Sequence, residues 1–200
     1  MVQNEQENHP ESLYGVLKWK HSLRPPDSHR VLSEICMRHL LFAEFEANPL
    51  ENDAMLSQYN GSHVFLDYSA KYWASHVRES HIEADNVATQ SMLRLCDTSS
   101  KRCLTWFRIY WESTNTDFPK GFTGLMIASY FGLAAVVKHL LELDSIDLNS
   151  KDDTYGRSAI SWAAGNGFDV VVKLLTKGIS RRLSGIKLPF RKKPPSGFCG

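Results

Sequence analysis

The pattern of apolar and polar positions divides the chain into two helical stretches. A polar opening closes on Pro25-Pro26, a pair that disfavours a helix running through it. Val31, Leu32, Ile35, Cys36, Leu40 and Phe42 then recur at three-to-four spacing until Asn48-Pro49 interrupts them. That spacing predicts a first helix, with Asp27 or Ser28 as its cap. Phe65, Tyr68, Tyr72, Trp73, His76 and Val77 predict a second, starting after Gly61-Ser62 and ending near Glu79. Ser80 and Glu83 have the spacing of a capping box, where each side chain satisfies a backbone donor at a helix start, ahead of Ile82, Val87, Met92 and Leu95. Leu104, Phe107, Tyr110 and Trp111 predict a fourth helix over 101–111. No stretch alternates long enough to argue a strand, so the first half reads as all-α.

The second half repeats itself. Gly121-Phe122-Thr123-Gly124-Leu125-Met126-Ile127-Ala128 has the layout of Gly156-Arg157-Ser158-Ala159-Ile160-Ser161-Trp162-Ala163, 35 positions on. At the same offset Gly132 matches Gly167, Val136-Val137 matches Val171-Val172, and Leu140 matches Leu175. A period of this size, made of turn, helix, glycine turn and helix, is the mark of a solenoid whose units bury their apolar faces against one another. Thr123 and Ser158 suit helix caps, and Gly132 and Gly167 suit the turn between paired helices.

On these residues the chain resembles the ankyrin-repeat family over 117–179. Residues 153–175 follow its unit closely, whereas the first copy has Gly124 where proline is usual, Met126 where histidine is usual, and Asp117 one place out of register. No third copy begins near Arg181. The segments around His29-Arg30-Val31-Leu32 and Phe65-Leu66-Asp67-Tyr68 look like the winged-helix-like helical linker of fungal NACHT-ankyrin receptors, which implies a fragment or short paralogue of a signalling receptor. The phosphate-binding G-x-x-x-x-G-K-[ST] of such receptors does not occur, so no nucleotide chemistry carries over.

Composition changes this picture in two places. The formal charge of +1 hides an asymmetry: residues 177–200 hold seven basic side chains and no acid, leaving 16 basic against 22 acidic residues, about −6, in the rest. Residues 1–27 therefore read as a disordered arm, 28–114 as a helical region, 117–179 as two repeats and 180–200 as a basic disordered tail. The four cysteines form no CxxC pair and no apolar run is long enough for a membrane span, which points to free thiols, no membrane, and a cytoplasmic chain with the nucleus as the alternative. The sequon at Asn60 is then silent.

Candidate chemistry is thin. Gly156-Arg157-Ser158-Ala159-Ile160 begins like a nucleophile elbow, but its fifth position is isoleucine and its serine serves better as a cap. Cys36 and His39 lack a second ligand pair, so no metal or other cofactor is expected. The aromatic stripes read as core, not as a base-stacking platform, because no basic cluster interleaves with them. Arg181-Arg182-Leu183-Ser184 has a basophilic-kinase layout, and Arg191-Lys192-Lys193 could serve as a nucleic-acid or import patch.

Together these readings predict an all-α, non-catalytic interaction module: a helical N-terminal region followed by a short ankyrin-type solenoid. A protein partner would meet Ile127, Tyr130 and Phe131 in the first repeat and Tyr155, Arg157, Trp162 and Asn166 in the second, since Trp, Tyr and Arg are enriched at binding hot spots. Trp162 has two readings, a partner anchor or a packed residue against Ile127. The rival function is a regulatory or nucleic-acid-associated protein using the winged-helix-like segment and the tail. An uncovered face of Val171, Val172 and Leu175 would favour self-association. Lacking a glycine-rich phosphate cradle, the chain should show no saturable, magnesium-dependent ATP binding in calorimetry.

Overall fold

The computed structural model describes residues 24–50, 53–80 and 86–185. The first helix of the described residues is α1 (Pro25–Leu40), whose first turn contains both prolines. Their missing N–H groups cost nothing there, because first-turn donors have no intrahelical acceptor. The expected arm thus ends before Pro25, and Asp27 lies inside the first turn instead of capping it. Residues 1–23 lie outside the described residues.

Two short elements follow that the periodicity missed, α2 (Glu44–Ala47) and, after a 3-10 turn at Asp53–Met55, α3 (Leu56–Ser62). Phe45, Leu50 and Leu56 are buried, and the Leu50 N–H donates to Thr105 Oγ1 at 3.1 Å. Next comes α4 (Leu66–Ser80), packed along α1. The Cys36, Met37 and Leu40 side chains close against Leu66, Ala70, Trp73 and Val77. Ser80 is not a cap: it is the last residue of α4 and its hydroxyl donates back to the Val77 carbonyl. Glu83, its supposed partner, lies outside the described residues. α5 (Asn86–Leu95) and α6 (Lys101–Glu112) complete the helical region. No strand forms among the described residues.

The N-terminus of α6 is capped from a distance. Ser100, the local cap residue, makes no side-chain cap bond of its own. Instead the Glu46 carboxylate accepts from the Ser100 hydroxyl at 2.7 Å, the Lys101 and Arg102 N–H groups at 3.4 and 3.3 Å, and the Arg102 guanidinium at 3.1 Å. The Ser100 bond, opposed by a smaller desolvation penalty and helped by the two backbone donors, holds this carboxyl down at about 2.

The repeats are α7 (Gly124–Tyr130) with α8 (Ala134–Leu141), and α9 (Ala159–Gly165) with α10 (Asp169–Gly185). Thr123 and Ser158 cap α7 and α9 as their spacing predicts. Gly132 and Gly167 take φ of +70° and +75°. Each closes its helix with paired bonds, Leu133 N–H to Ala128 O and Phe168 N–H to Ala163 O at 2.9 Å, the αL ending that glycine favours. Gly124 has a different reason. A Cβ there would stand 2.5 Å from the Cys96 carbonyl oxygen, so the family's proline is excluded by the end of α5.

Two expectations for the C-terminus need correction. Val171 and Leu175 are each 1% exposed, because the register of α10 turns them inward, and Gly178 lets that helix approach Leu141 closely. They form no open face. α10 also runs through Gly185, past the expected start of a structureless tail, and the Arg182 guanidinium donates to the Leu143 and Ile146 carbonyls. The tail from 186 lies outside the described residues.

Aromatic packing joins the two halves. Trp73 meets Trp106 edge to face at 5.3 Å, and Trp106 meets Phe131 of the first repeat at 5.5 Å. Arg78 of α4 donates to the Phe131 carbonyl at 2.6 Å and lies 5.2 Å over Phe168 of the second repeat.

The depressed Glu46 acidity makes a pH prediction. A carboxyl held below its ordinary 4.5 contributes stability that is fully present above that value and is lost as pH falls toward 2. Glu46→Gln should melt below the parent at pH 7, and the gap should be much smaller at pH 2.5. A gap of equal size at both pH values would show that the charge plays no part.

Candidate partner-binding groove

The inner helices α7 and α9 and the hairpin tips line a shallow groove of about 310 Å³. One buried carboxylate organises it. Asp152, 2% exposed, accepts from the Thr154 and Tyr155 N–H groups through Oδ1, and from the Arg157 N–H at 2.9 Å and Trp162 Nε1 at 3.1 Å through Oδ2. Four donors around a carboxylate compensate its removal from water. The Asp152 N–H donates in turn to Arg157 O, and Lys151 bridges Ser158, closing a hairpin. This hairpin stacks on the preceding tip. The Asp153 N–H donates to Lys120 O at 2.8 Å, the Lys120 N–H to Thr154 Oγ1 at 2.9 Å, and the Tyr155 hydroxyl to Asp117 O at 2.6 Å. The first copy, with Asp117 out of register, thus contributes its carbonyl in place of its carboxylate.

Of the residues expected to meet a partner, Tyr130, Tyr155, Arg157, Trp162 and Asn166 come together in this groove. Ile127 and Phe131 do not. They are 0% and 5% exposed, and Phe131 sits among Trp106, Phe107 and Tyr110. Phe131 is covered by aromatic side chains of α6, which the repeat pattern alone does not reveal. The structure adds Trp111, Thr114, Thr116 and Gly165 to the lining. Trp111 was visible in the sequence only as the last member of an apolar stripe.

Trp162 is 5% exposed and combines features of both readings. Its ring stands edge-on to Trp111, Phe122, Tyr130 and Tyr155 at 5.3 to 6.0 Å. The Arg157 guanidinium lies 4.8 Å over its face. Tyr130, 3.2 Å from the Tyr110 hydroxyl, is pushed up by burial and then by that bond, and stays neutral throughout the physiological range.

Nothing here resembles a metal centre. Among the described residues no three His, Cys, Asp or Glu side chains are grouped to hold an ion. Cys36, Cys96 and Cys103 are buried free thiols. Among the described residues no helix is long and apolar enough to cross a membrane.

Trp162→Ala should be mainly a stability variant. It empties a packed site and leaves Asp152 one donor short, at a cost of about 3–5 kcal/mol. A purified variant melting within a degree or two of the parent would refute the packing.

A family model described as ankyrin repeats (3 copies) matches residues 94–182. No curated protein and no solved structure matches. The match starts in the last turn of α5, so what it adds to the two repeats lies on their N-terminal side. No comparison extends a likeness to the linker of NACHT-ankyrin receptors. The described residues are all-α, and the ankyrin-repeat model matches their C-terminal part.

Proposed function

We propose that the protein is a non-catalytic interaction module whose groove grips an extended segment of a protein partner. Ankyrin repeats are an interaction fold, which supports the class of function. The observation that carries the site is convergence: the exposed parts of Tyr130, Tyr155, Arg157 and Asn166 and the edge of Trp162 line one groove, floored with aromatic rings. Rigid aromatic faces offer a partner a large contact area at low entropic cost. The finer reading, a piece of an ankyrin-repeat signalling receptor, rests on the residues of the N-terminal half. Self-association, as a proposal, has lost Val171 and Leu175 as its face.

Gly165 supplies the test. A Cβ there meets nothing within 4 Å, and the residue lines the groove at the end of α9. Gly165→Leu should fill the groove while leaving the melting temperature unchanged or slightly raised, since glycine is a poor helix former. Peptides selected on the immobilised full chain from a random dodecapeptide display library should lose about tenfold or more in affinity for the variant, roughly 1.4 kcal/mol. Equal binding to parent and variant would remove the groove as the binding site.

A further inference from the structure

The groove has spent almost all of its aromatic hydrogen-bonding capacity on its own fold. Trp111 Nε1 donates to Asp117 O at 2.8 Å, and the Tyr155 hydroxyl donates to the same carbonyl at 2.6 Å. Trp162 Nε1 is taken by Asp152, and the Tyr130 hydroxyl by Tyr110. A ligand therefore finds ring faces and edges, not polar tips. One strong donor remains. The Arg157 guanidinium forms no hydrogen bond or ion pair with any described residue; its central carbon lies 4.8 Å over the Trp162 ring. A cation–π contact holds a guanidinium over the ring while leaving its N–H groups open, and free N–H groups suit bidentate capture of a carboxylate. The groove lining contains this one cation and no acidic side chain. The Asp152 carboxylate beneath it is buried and saturated by four N–H donors.

We propose that the groove selects an acidic peptide: an extended segment that presents a carboxylate to Arg157 and lays a flat apolar side chain on the rings beside it. The inference rests on the reading of the groove as the partner site, and it adds the partner's chemistry. The carboxylate has two sources, an Asp or Glu side chain or a free C-terminus.

Arg157 can be altered without dismantling the hairpin, because it serves Asp152 through its backbone N–H and carbonyl. The test uses the same dodecapeptide library on the full chain. Peptides that bind the parent and lose binding to Gly165→Leu define the groove ligands. Among them, acidic residues should be enriched at one position beside an aromatic or proline. Arg157→Gln, at unchanged circular dichroism, should weaken synthetic copies of these peptides about tenfold, and Arg157→Glu should shift the selection toward lysine at that position. Replacing the peptide's Glu by Gln, or amidating its C-terminus, identifies which carboxylate is read. Groove ligands with no acidic preference, bound equally by the parent and Arg157→Gln, would overturn the acidic specificity while leaving the groove as the site. Peptides insensitive to Gly165→Leu would overturn the site and the specificity together.

Discussion

Two ankyrin units cannot bury their own apolar faces, since each repeat draws its stability from a neighbour on either side. The structure meets this constraint by covering the N-terminal side with α6. Phe107 packs on Phe122 at 5.2 Å, Tyr110 on Phe131 at 4.7 Å, and Trp111 on Tyr130 at 5.2 Å. The described helices upstream support that contact. α4 holds α6 through the Trp73–Trp106 pair, α1 covers α4, and Glu46 caps α6 from a helix more than fifty residues earlier in the chain. The helical half is therefore part of the repeat core and not an appended domain.

This arrangement explains where the first repeat departs from the family pattern. Gly124 stands where proline is usual because α5 ends against it, at the Cys96 carbonyl. Ile127, at a position that the pattern leaves free for a partner, is buried. Arg78 ties α4 to the ends of both inner helices, through the Phe131 carbonyl and the Phe168 ring. The variable positions of the first repeat have thus been partly absorbed into an internal interface, while Tyr155, Arg157 and Asn166 of the second repeat remain at the surface.

Local signals were the ones legible in the sequence. The caps at Thr123 and Ser158 and the turns at Gly132 and Gly167 depend on residues within one helical turn, so spacing alone located them. Signals that depend on distant partners were not legible. Phe45 and Leu56 lie in elements too short to show a period. Ser80 and Glu83 matched a capping box, but α4 ends with Ser80 bonded back into its own last turn. Pro25-Pro26 read as a boundary, and they do mark one, but as the first turn of a helix. The same division holds for the groove. Tyr155, Arg157, Trp162 and Asn166 follow from the unit's own pattern, whereas Trp111 reaches the groove only because α6 crosses beside the repeats.

The dual position of Trp162 links stability to recognition through Asp152. The carboxylate needs four donors to be buried at low cost, and two of them, the Arg157 N–H and the Trp162 indole, belong to residues that also shape the groove. A neutral acceptor at position 152 would hold the hairpin less firmly, because a charged acceptor makes the stronger hydrogen bonds. The indole would then be less well fixed, and so would the guanidinium over it. The orientation of the one uncommitted donor in the groove is thus set by a side chain that no partner touches.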